Sequence, residues 1–226
     1  MKSISLFFFL LMSLISFGQE NLSDYLLAAQ KPSDSSATYF SKAKKIIKTH
    51  QDSVQFIKAK NQFHLTKRNE DSVAYYSNRF LKIANTKESY REIILLCRKV
   101  GHFYEESGSF EKSLNIHQNG LDVAESYKDY ISMSEMLIDI SQTYRIFHNY
   151  EKAIEYGKKA TEVLVKNKVD NLKAKALALD ITAAAFTENR ELDSALIYHQ
   201  RVLDFLPRLD SMDVKNTIVN IGYTYM

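Results

Sequence analysis

Apolar residues return every three to four positions along most of the chain, which places them along one side of an α-helix. Cys97, Val100 and Tyr104 form one such stripe, and an equivalent stripe begins forty residues later at Leu137. Polar and charged residues fill the positions between them. The pattern predicts a chain made almost entirely of amphipathic helices.

An internal repeat orders these helices. Residues 108–114 read Gly-Ser-Phe-Glu-Lys-Ser-Leu, and residues 148–154 read His-Asn-Tyr-Glu-Lys-Ala-Ile, forty positions further on. Each segment follows a helix that carries a tyrosine, Tyr104 in the first case and Tyr144 in the second. A repeat of this length predicts helix pairs that bury their apolar stripes against neighbouring pairs.

These residues resemble the tetratricopeptide repeat (TPR) family, whose signature sets bulky, small and aromatic residues at fixed positions of two antiparallel helices. The best three units carry it at Cys97, Val100, Gly101, Tyr104, Gly108, Ser113 and Gly120; at Leu137, Ile140, Ser141, Tyr144, Ala153 and Ala160; and at Leu179, Ala183, Phe186, Ala195 and Pro207. The resemblance implies an all-α, right-handed TPR-type superhelical solenoid of antiparallel helix pairs. It covers residues 20–226, is weaker before residue 94, and has the spacing of a long-helix variety.

Turn and cap residues mark the predicted boundaries. Ser33, Ser109, Asn149 and Asn189 precede helical runs and can accept a bond from a free backbone N–H as N-caps. Gly108 is expected to form the tight turn between two paired helices. The scarcity of Gly and Pro, at 6 and 2 residues, agrees with long helices.

The N-terminus has the pattern of a signal peptide. Lys2 precedes a serine-interrupted apolar run that is shorter than the ~20 residues of a comfortable bilayer span. Ser16 and Gly18 place small residues at the −3 and −1 positions of a cleavage site. We predict a signal peptide over residues 1–18 and a TPR solenoid over residues 19–226, exported to a periplasmic or other extracytoplasmic compartment; an uncleaved anchor is the alternative.

The C-terminus predicts half of a further repeat. Ile218, Gly222 and Tyr225 match a first helix, so the solenoid is expected to hold about five helix pairs and the first helix of a sixth. Terminal repeats usually present a polar outer face, and this helix does not. One interpretation is that the sequence is part of a longer protein; the other is a homodimer formed through residues 210–226.

The sequence carries no motif of a catalytic site. It lacks His-Glu-x-x-His, Cys-x-x-Cys, a Gly-rich phosphate loop and a Gly-x-Ser-x-Gly elbow, which argues against an enzyme and against a bound cofactor. His102, Glu105 and Glu106 could share a helical face and hold a metal, but an ordinary polar surface is the preferred interpretation. Cys97 lies on an apolar position and is expected to be a buried thiol.

Charge argues against nucleic acid as a partner. The formal net charge is +3, and the densest basic run is Lys42, Lys44, Lys45 and Lys48. We interpret that run as a solvated helix face without an aromatic platform. Unless the N-terminal segment is an uncleaved anchor, a membrane is expected as a partner only through a possible missing C-terminal region.

The resemblance implies a binding groove on the first helix of each pair. It places fifteen residues there: Leu95, Arg98, His102, Glu105, Glu106, Glu135, Ile138, Gln142, Arg145, Ile146, Leu177, Asp180, Ala184, Thr187 and Glu188. They lack the Lys and Arg cluster with which chaperone-binding TPRs hold a C-terminal carboxylate. The resemblance therefore implies a protein or peptide partner. It also implies that the chain is the sensory ectodomain of a longer membrane-bound protein, a histidine kinase or a LuxR-type regulator. The alternative is a free-standing exported scaffold.

Overall fold

The computed structural model describes residues 21–31, 33–84 and 86–205, together with Gly222. Every regular element in these ranges is an α-helix, which confirms the predicted all-α class. The helices are α1 Leu22–Gln30, α2 Ser36–Lys45, α3 His50–Thr66, α4 Glu70–Ile83, α5 Tyr90–Glu106, α6 Phe110–Ser126, α7 Tyr130–Ile146, α8 Tyr150–Lys166, α9 Leu172–Glu188 and α10 Leu192–Leu203. The predicted signal peptide, and all of the predicted last helix except Gly222, lie outside the described residues.

The chain divides into two compact units, Met1–Ile83 and Ala84–Met226. In the first unit, α1 packs on α2 and α3, and α3 packs on α4. Phe40 is at the centre of its core, with the rings of Phe56 and Phe63 meeting it edge-on at 5.9 and 5.4 Å. A reciprocal cap at Thr49 and Asp52 starts α3.

In the second unit the helices form three pairs, α5 with α6, α7 with α8, and α9 with α10. Four of them begin twenty residues apart, at Tyr90, Phe110, Tyr130 and Tyr150, and each has 17 residues. A helix of 17 residues is about 25 Å long. Two such helices and their turns make up the forty-residue repeat that the sequence predicts.

A left-handed residue ends each long helix at the same place. Gly108 has φ +70°, as predicted, and its N–H donates to the carbonyl of Glu105. Lys128, His148 and Lys168 adopt the same conformation without being glycine, at φ 53°, 61° and 53°. This backbone turn satisfies the last carbonyls of each helix, so the geometry is kept where the sequence offers no glycine.

One of the four predicted N-caps makes the predicted bond. Asn149 accepts a bond from the N–H of Lys152 at 3.2 Å, as predicted. Ser109 precedes α6, although its side chain makes no cap bond. Ser33 lies upstream of the N-cap Ser35, and Asn189 ends α9 instead of starting α10. Helix α9 continues to Glu188, which moves the turn past Asn189.

Two of the three aromatic residues that the repeat places between helices are buried. Tyr104 and Phe186 are 4% and 5% exposed. Tyr144 is half-buried. It packs against the edge of the core, and its ring stacks on Tyr156 at 5.4 Å. Cys97 is fully buried as predicted, and burial raises the pKa of its thiol to about 12. None of the described helices is both long and apolar enough to cross a bilayer.

Candidate functional site

The fifteen predicted groove residues lie on α5, α7 and α9, the first helices of the second unit; we call them the first-helix face. Helix α7 contacts both α5 and α9. Six of these residues are exposed: Leu95, His102, Glu106, Ile146, Leu177 and Glu188. Eight are half-buried: Arg98, Glu135, Ile138, Gln142, Arg145, Asp180, Ala184 and Thr187. Glu105 is buried beneath them.

An arginine on α5 joins that helix to α7. Arg98 donates from Nε to Oδ2 of Asp139 at 2.6 Å and from a terminal nitrogen to Oδ1 at 3.2 Å. A third bond, of 3.3 Å, reaches Glu135. Burial alone would lower the pKa of Arg98, but its bonds to Asp139 raise it above its usual value. The fork geometry fixes the guanidinium on this face.

A second arginine joins α7 to α9. Arg145 donates to a carboxylate oxygen of Glu188 at 2.6 Å. Its other nitrogens donate to the side-chain oxygen of Gln142 at 3.1 and 2.8 Å. Both arginines of the first-helix face are therefore held by acceptors from the neighbouring helix.

A buried polar network lies below His102. Glu105, whose side chain is 5% exposed, contacts Nδ1 of His102 at 2.9 Å and accepts a 2.5 Å bond from the hydroxyl of Thr143. Nδ1 of His117 lies 3.1 Å from the oxygen of the same hydroxyl. Nε2 of His117 is buried and faces Gly101 of α5, and the backbone of Arg98 acts to raise the pKa of the ring.

The pKa shifts of both histidines follow from these surroundings. The bond to Glu105 raises the pKa of His102, whereas burial lowers the pKa of His117 and keeps it neutral. Burial also raises the pKa of Glu105, but the bonds from His102 and Thr143 outweigh it and lower the pKa overall.

Three of these side chains could hold a metal ion. One ligand atom each from His102, Glu105 and His117 lies within 4.8 Å of the others. The third member is His117 of α6, and not Glu106, which the sequence analysis grouped with them and which is exposed. To coordinate an ion through Nδ1, His117 would give up its contact with the hydroxyl of Thr143, and Thr143 would turn away from Glu105.

Exposed apolar side chains accompany the ion pairs. Leu95 on α5 is 55% exposed, Ile146 on α7 40% and Leu177 on α9 47%. Each first helix of the second unit thus offers one large apolar side chain to solvent. Leu95 lies one turn from Arg98, and Ile146 is adjacent to Arg145.

Acidic groups outnumber basic ones on the first-helix face. Its two arginines stand against five carboxylates, on Glu105, Glu106, Glu135, Asp180 and Glu188. Asp139, which the sequence analysis did not select, adds a sixth carboxylate at the same place. The face is therefore acidic, although the chain has a formal net charge of +3.

Comparison with known proteins gives a family for part of the chain. Residues 91–164, which lie in α5 to α8, match the family described as tetratricopeptide repeat. No curated protein sequence matches the chain.

Solved structures match over more of its length. The apo form of RapI is similar with a TM-score of 0.73 and 15% identity, over 96% of this chain and 63% of that one. The STAND signal transduction ATPase with a tetratricopeptide repeat sensor, from Pyrococcus horikoshii, has a TM-score of 0.67 and 17% identity, over 90% and 33%. A Rap protein complexed with Competence and Sporulation Factor has a TM-score of 0.58 and 13% identity, over 87% and 53%. The chain thus spans less than two thirds of each of them, and the likeness establishes a TPR-type solenoid fold.

Proposed function

We propose that this tetratricopeptide-repeat protein binds a peptide, or an extended segment of a protein, on its first-helix face. We propose further that the ligand carries apolar and basic side chains. The observation behind this is the exposure of Leu95, Ile146 and Leu177 on three successive first helices, among predominantly acidic groups.

The apolar residues supply the binding energy in this proposal. A leucine that goes from exposed to fully buried contributes roughly 1.5–3 kcal/mol. The three side chains are already partly covered, so each contributes less than that. Their placement on separate helices suits an extended ligand that crosses α5, α7 and α9 in turn.

The charged residues supply orientation and selectivity. Arg98 and Arg145 are paired with Asp139 and Glu188, so they do not have to be ordered when the ligand arrives. Glu106 and Asp180 add negative charge on either side of α7. Basic ligand side chains would meet an acidic surface, and acidic ones would be repelled.

The likeness to a Rap protein complexed with Competence and Sporulation Factor supports a binding role. The likeness to a tetratricopeptide repeat sensor supports a role in signalling. Both are arguments from fold, and the residues of the first-helix face carry the proposal for this chain.

Fluorescence polarisation with two labelled peptides tests the proposal. Both peptides contain the same leucines, and one carries lysines where the other carries glutamates. We expect the lysine peptide to bind and the glutamate peptide to bind at least tenfold more weakly. The double substitution Leu95→Ser with Leu177→Ser should weaken the lysine peptide by about tenfold or more, since two apolar contacts are lost.

Val165→Ser is the matched control, because Val165 is 63% exposed on the second helix α8. It should leave the affinity unchanged within about twofold. Equal binding of the two peptides, or equal losses in the leucine and valine variants, would contradict binding on this face.

We also propose that the chain is exported and forms the sensory part of a longer membrane-bound signalling protein. The basic start, short apolar run and small residues at Ser16 and Gly18 support export. N-terminal sequencing of protein from the extracytoplasmic fraction should read from Gln19; intact Met1 in the cytoplasmic fraction would refute it. The alternative is a free-standing exported scaffold that self-associates through residues 210–226, which light scattering would report as a dimer.

A further inference from the structure

A cleft of about 520 Å³ opens in the first unit, between α2, α3 and α4. Its volume lies within the roughly 300–1,000 Å³ of small-molecule sites. Residues 37–79 supply its whole lining, so it is separate from the first-helix face of the second unit. A ligand in this cleft would therefore be distinct from the ligand of the first-helix face.

Aromatic rings form the walls of this cleft. Phe40 and Phe56 meet edge to face on one side, with ring centroids 5.9 Å apart. Tyr75 and Tyr76 meet in the same manner on the other side, at 5.0 Å. The ring of Tyr76 is also stacked on His64, 5.3 Å away and within 11° of parallel. Packing holds these rings in place. Phe40 is buried, whereas Phe56 and Tyr76 are half-buried and Tyr75 is exposed, so these three offer ring surface to a planar guest.

Three cations from three helices line the same cleft: Lys44 of α2, Lys60 of α3 and Arg79 of α4. Lys60 is half-buried, with its ammonium 4.0 Å from the ring centroid of Phe40 and 5.9 Å from that of Tyr76. The guanidinium of Arg79 lies 5.7 Å from the ring centroid of Tyr75.

No carboxylate is among the described residues that line the cleft. Burial, and then the charge of Lys44, lower the pKa of Lys60. The charge of Lys60 in turn adds to the effect of burial in lowering the pKa of His64. The ammonium of Lys60 thus stands in a locally positive, partly desolvated place, where an anion would be stabilised.

We infer that this cleft binds a small organic anion in which a carboxylate, sulfonate or phosphate is attached to a planar aromatic body. Lys60, Lys44 and Arg79 would hold the anionic group through charge-assisted hydrogen bonds. The planar body would lie between the phenylalanine and tyrosine walls. Both features are needed to define the ligand. The cations alone would bind any anion, and the aromatic rings alone would bind any apolar molecule.

This corrects one part of an interpretation of the sequence. The basic run of Lys42, Lys44, Lys45 and Lys48 is exposed, as expected of a solvated face, but it was also expected to have no aromatic platform. The structure brings Lys44 to four aromatic rings that come from α2, α3 and α4, and Lys42 lies over Tyr25 at 5.6 Å. The platform includes Tyr76, which lies 32 positions after Lys44, and a local pattern does not show such a distant neighbour.

The inference is tested with two fluorescent probes on the purified chain. One is 1-anilinonaphthalene-8-sulfonate, in which the sulfonate is attached to a planar naphthalene ring, and the other is N-phenyl-1-naphthylamine, its neutral analogue. We expect the sulfonate to bind one per chain and at least tenfold more tightly than the neutral probe. Lys60→Gln should weaken the sulfonate tenfold or more and leave the neutral probe nearly unchanged, because only the anion loses a partner.

Lys82→Gln is the matched control, since Lys82 is an exposed lysine of α4 outside the cleft. It should change neither affinity by more than about twofold. Lys44→Gln, at an exposed position, gives a second reading if circular dichroism shows that Lys60→Gln does not fold, and it should also weaken the sulfonate selectively. Equal affinities for the two probes, or equal effects of the cleft and control variants, would overturn the inference.

Discussion

Placing an aspartate at Ala153 should destabilise the second unit by at least about 4 kcal/mol. Ala153 has no solvent-exposed surface, and it packs with Ile154, Ala185, Phe186 and Ala195. A carboxylate there would be overpacked, and it would either stay charged without a partner or take up a proton at a cost. Single substitutions of this size are uncommon and indicate a buried charge or a lost core contact. Urea unfolding followed by circular dichroism measures the change.

An aspartate at an exposed position of the same helix tests whether burial, and not the added charge alone, causes the destabilisation. Val165 of α8 is 63% exposed, so Val165→Asp should change the free energy of unfolding by only about 0.5–1 kcal/mol. If Ala153→Asp were no more destabilising than Val165→Asp, the packing of α8 between α7 and α9 would be wrong.

The repeat could be predicted from the sequence because it rests on local order. The apolar stripe of Cys97, Val100 and Tyr104 needs only the helical period, and all three residues are buried. The forty-residue spacing likewise follows from residues that recur in the same order. Such features can be recognised in the sequence because each helix pair makes the same contacts with its neighbour.

The partners of polar residues could not be predicted in the same way. Arg98 was placed on the first-helix face, but its main partner, Asp139, lies 41 positions later and was not selected. Helical periodicity tells which side of a helix a residue occupies, and Asp139 occupies the side toward α5. Which charges meet across two helices depends on the register between them, and the sequence pattern does not contain that register.

The burial of a histidine could not be predicted from the sequence pattern either. His117 lies on a second helix and was not among the residues selected from the sequence, yet it is fully buried. Its partner Thr143 comes from the next repeat, 26 positions away. One signal was present in the sequence, namely Gly101 at a position where the family signature requires a small residue. The structure shows what that glycine accommodates.

The close contact between Gly101 and His117 predicts a second substitution with a large effect on stability. A methyl group at Gly101 would overlap the imidazole ring of His117. The ring cannot move aside easily, because it is fully buried and its Nδ1 is bonded to Thr143. We expect Gly101→Ala to destabilise the protein by about 2–4 kcal/mol, as overpacking plus the loss of a buried hydrogen bond.

A double-mutant cycle tests this cause directly. His117→Ala alone should destabilise the protein, because it leaves a cavity and removes the partner of Thr143. In that background the methyl group at Gly101 has room, and alanine exceeds glycine in helix propensity by about 1 kcal/mol. Gly101→Ala should therefore be neutral or slightly stabilising once His117 is gone. If it were equally destabilising with and without His117, the close approach of α5 and α6 would not be the reason for the glycine, and the network around Thr143 and Glu105 would need a different arrangement.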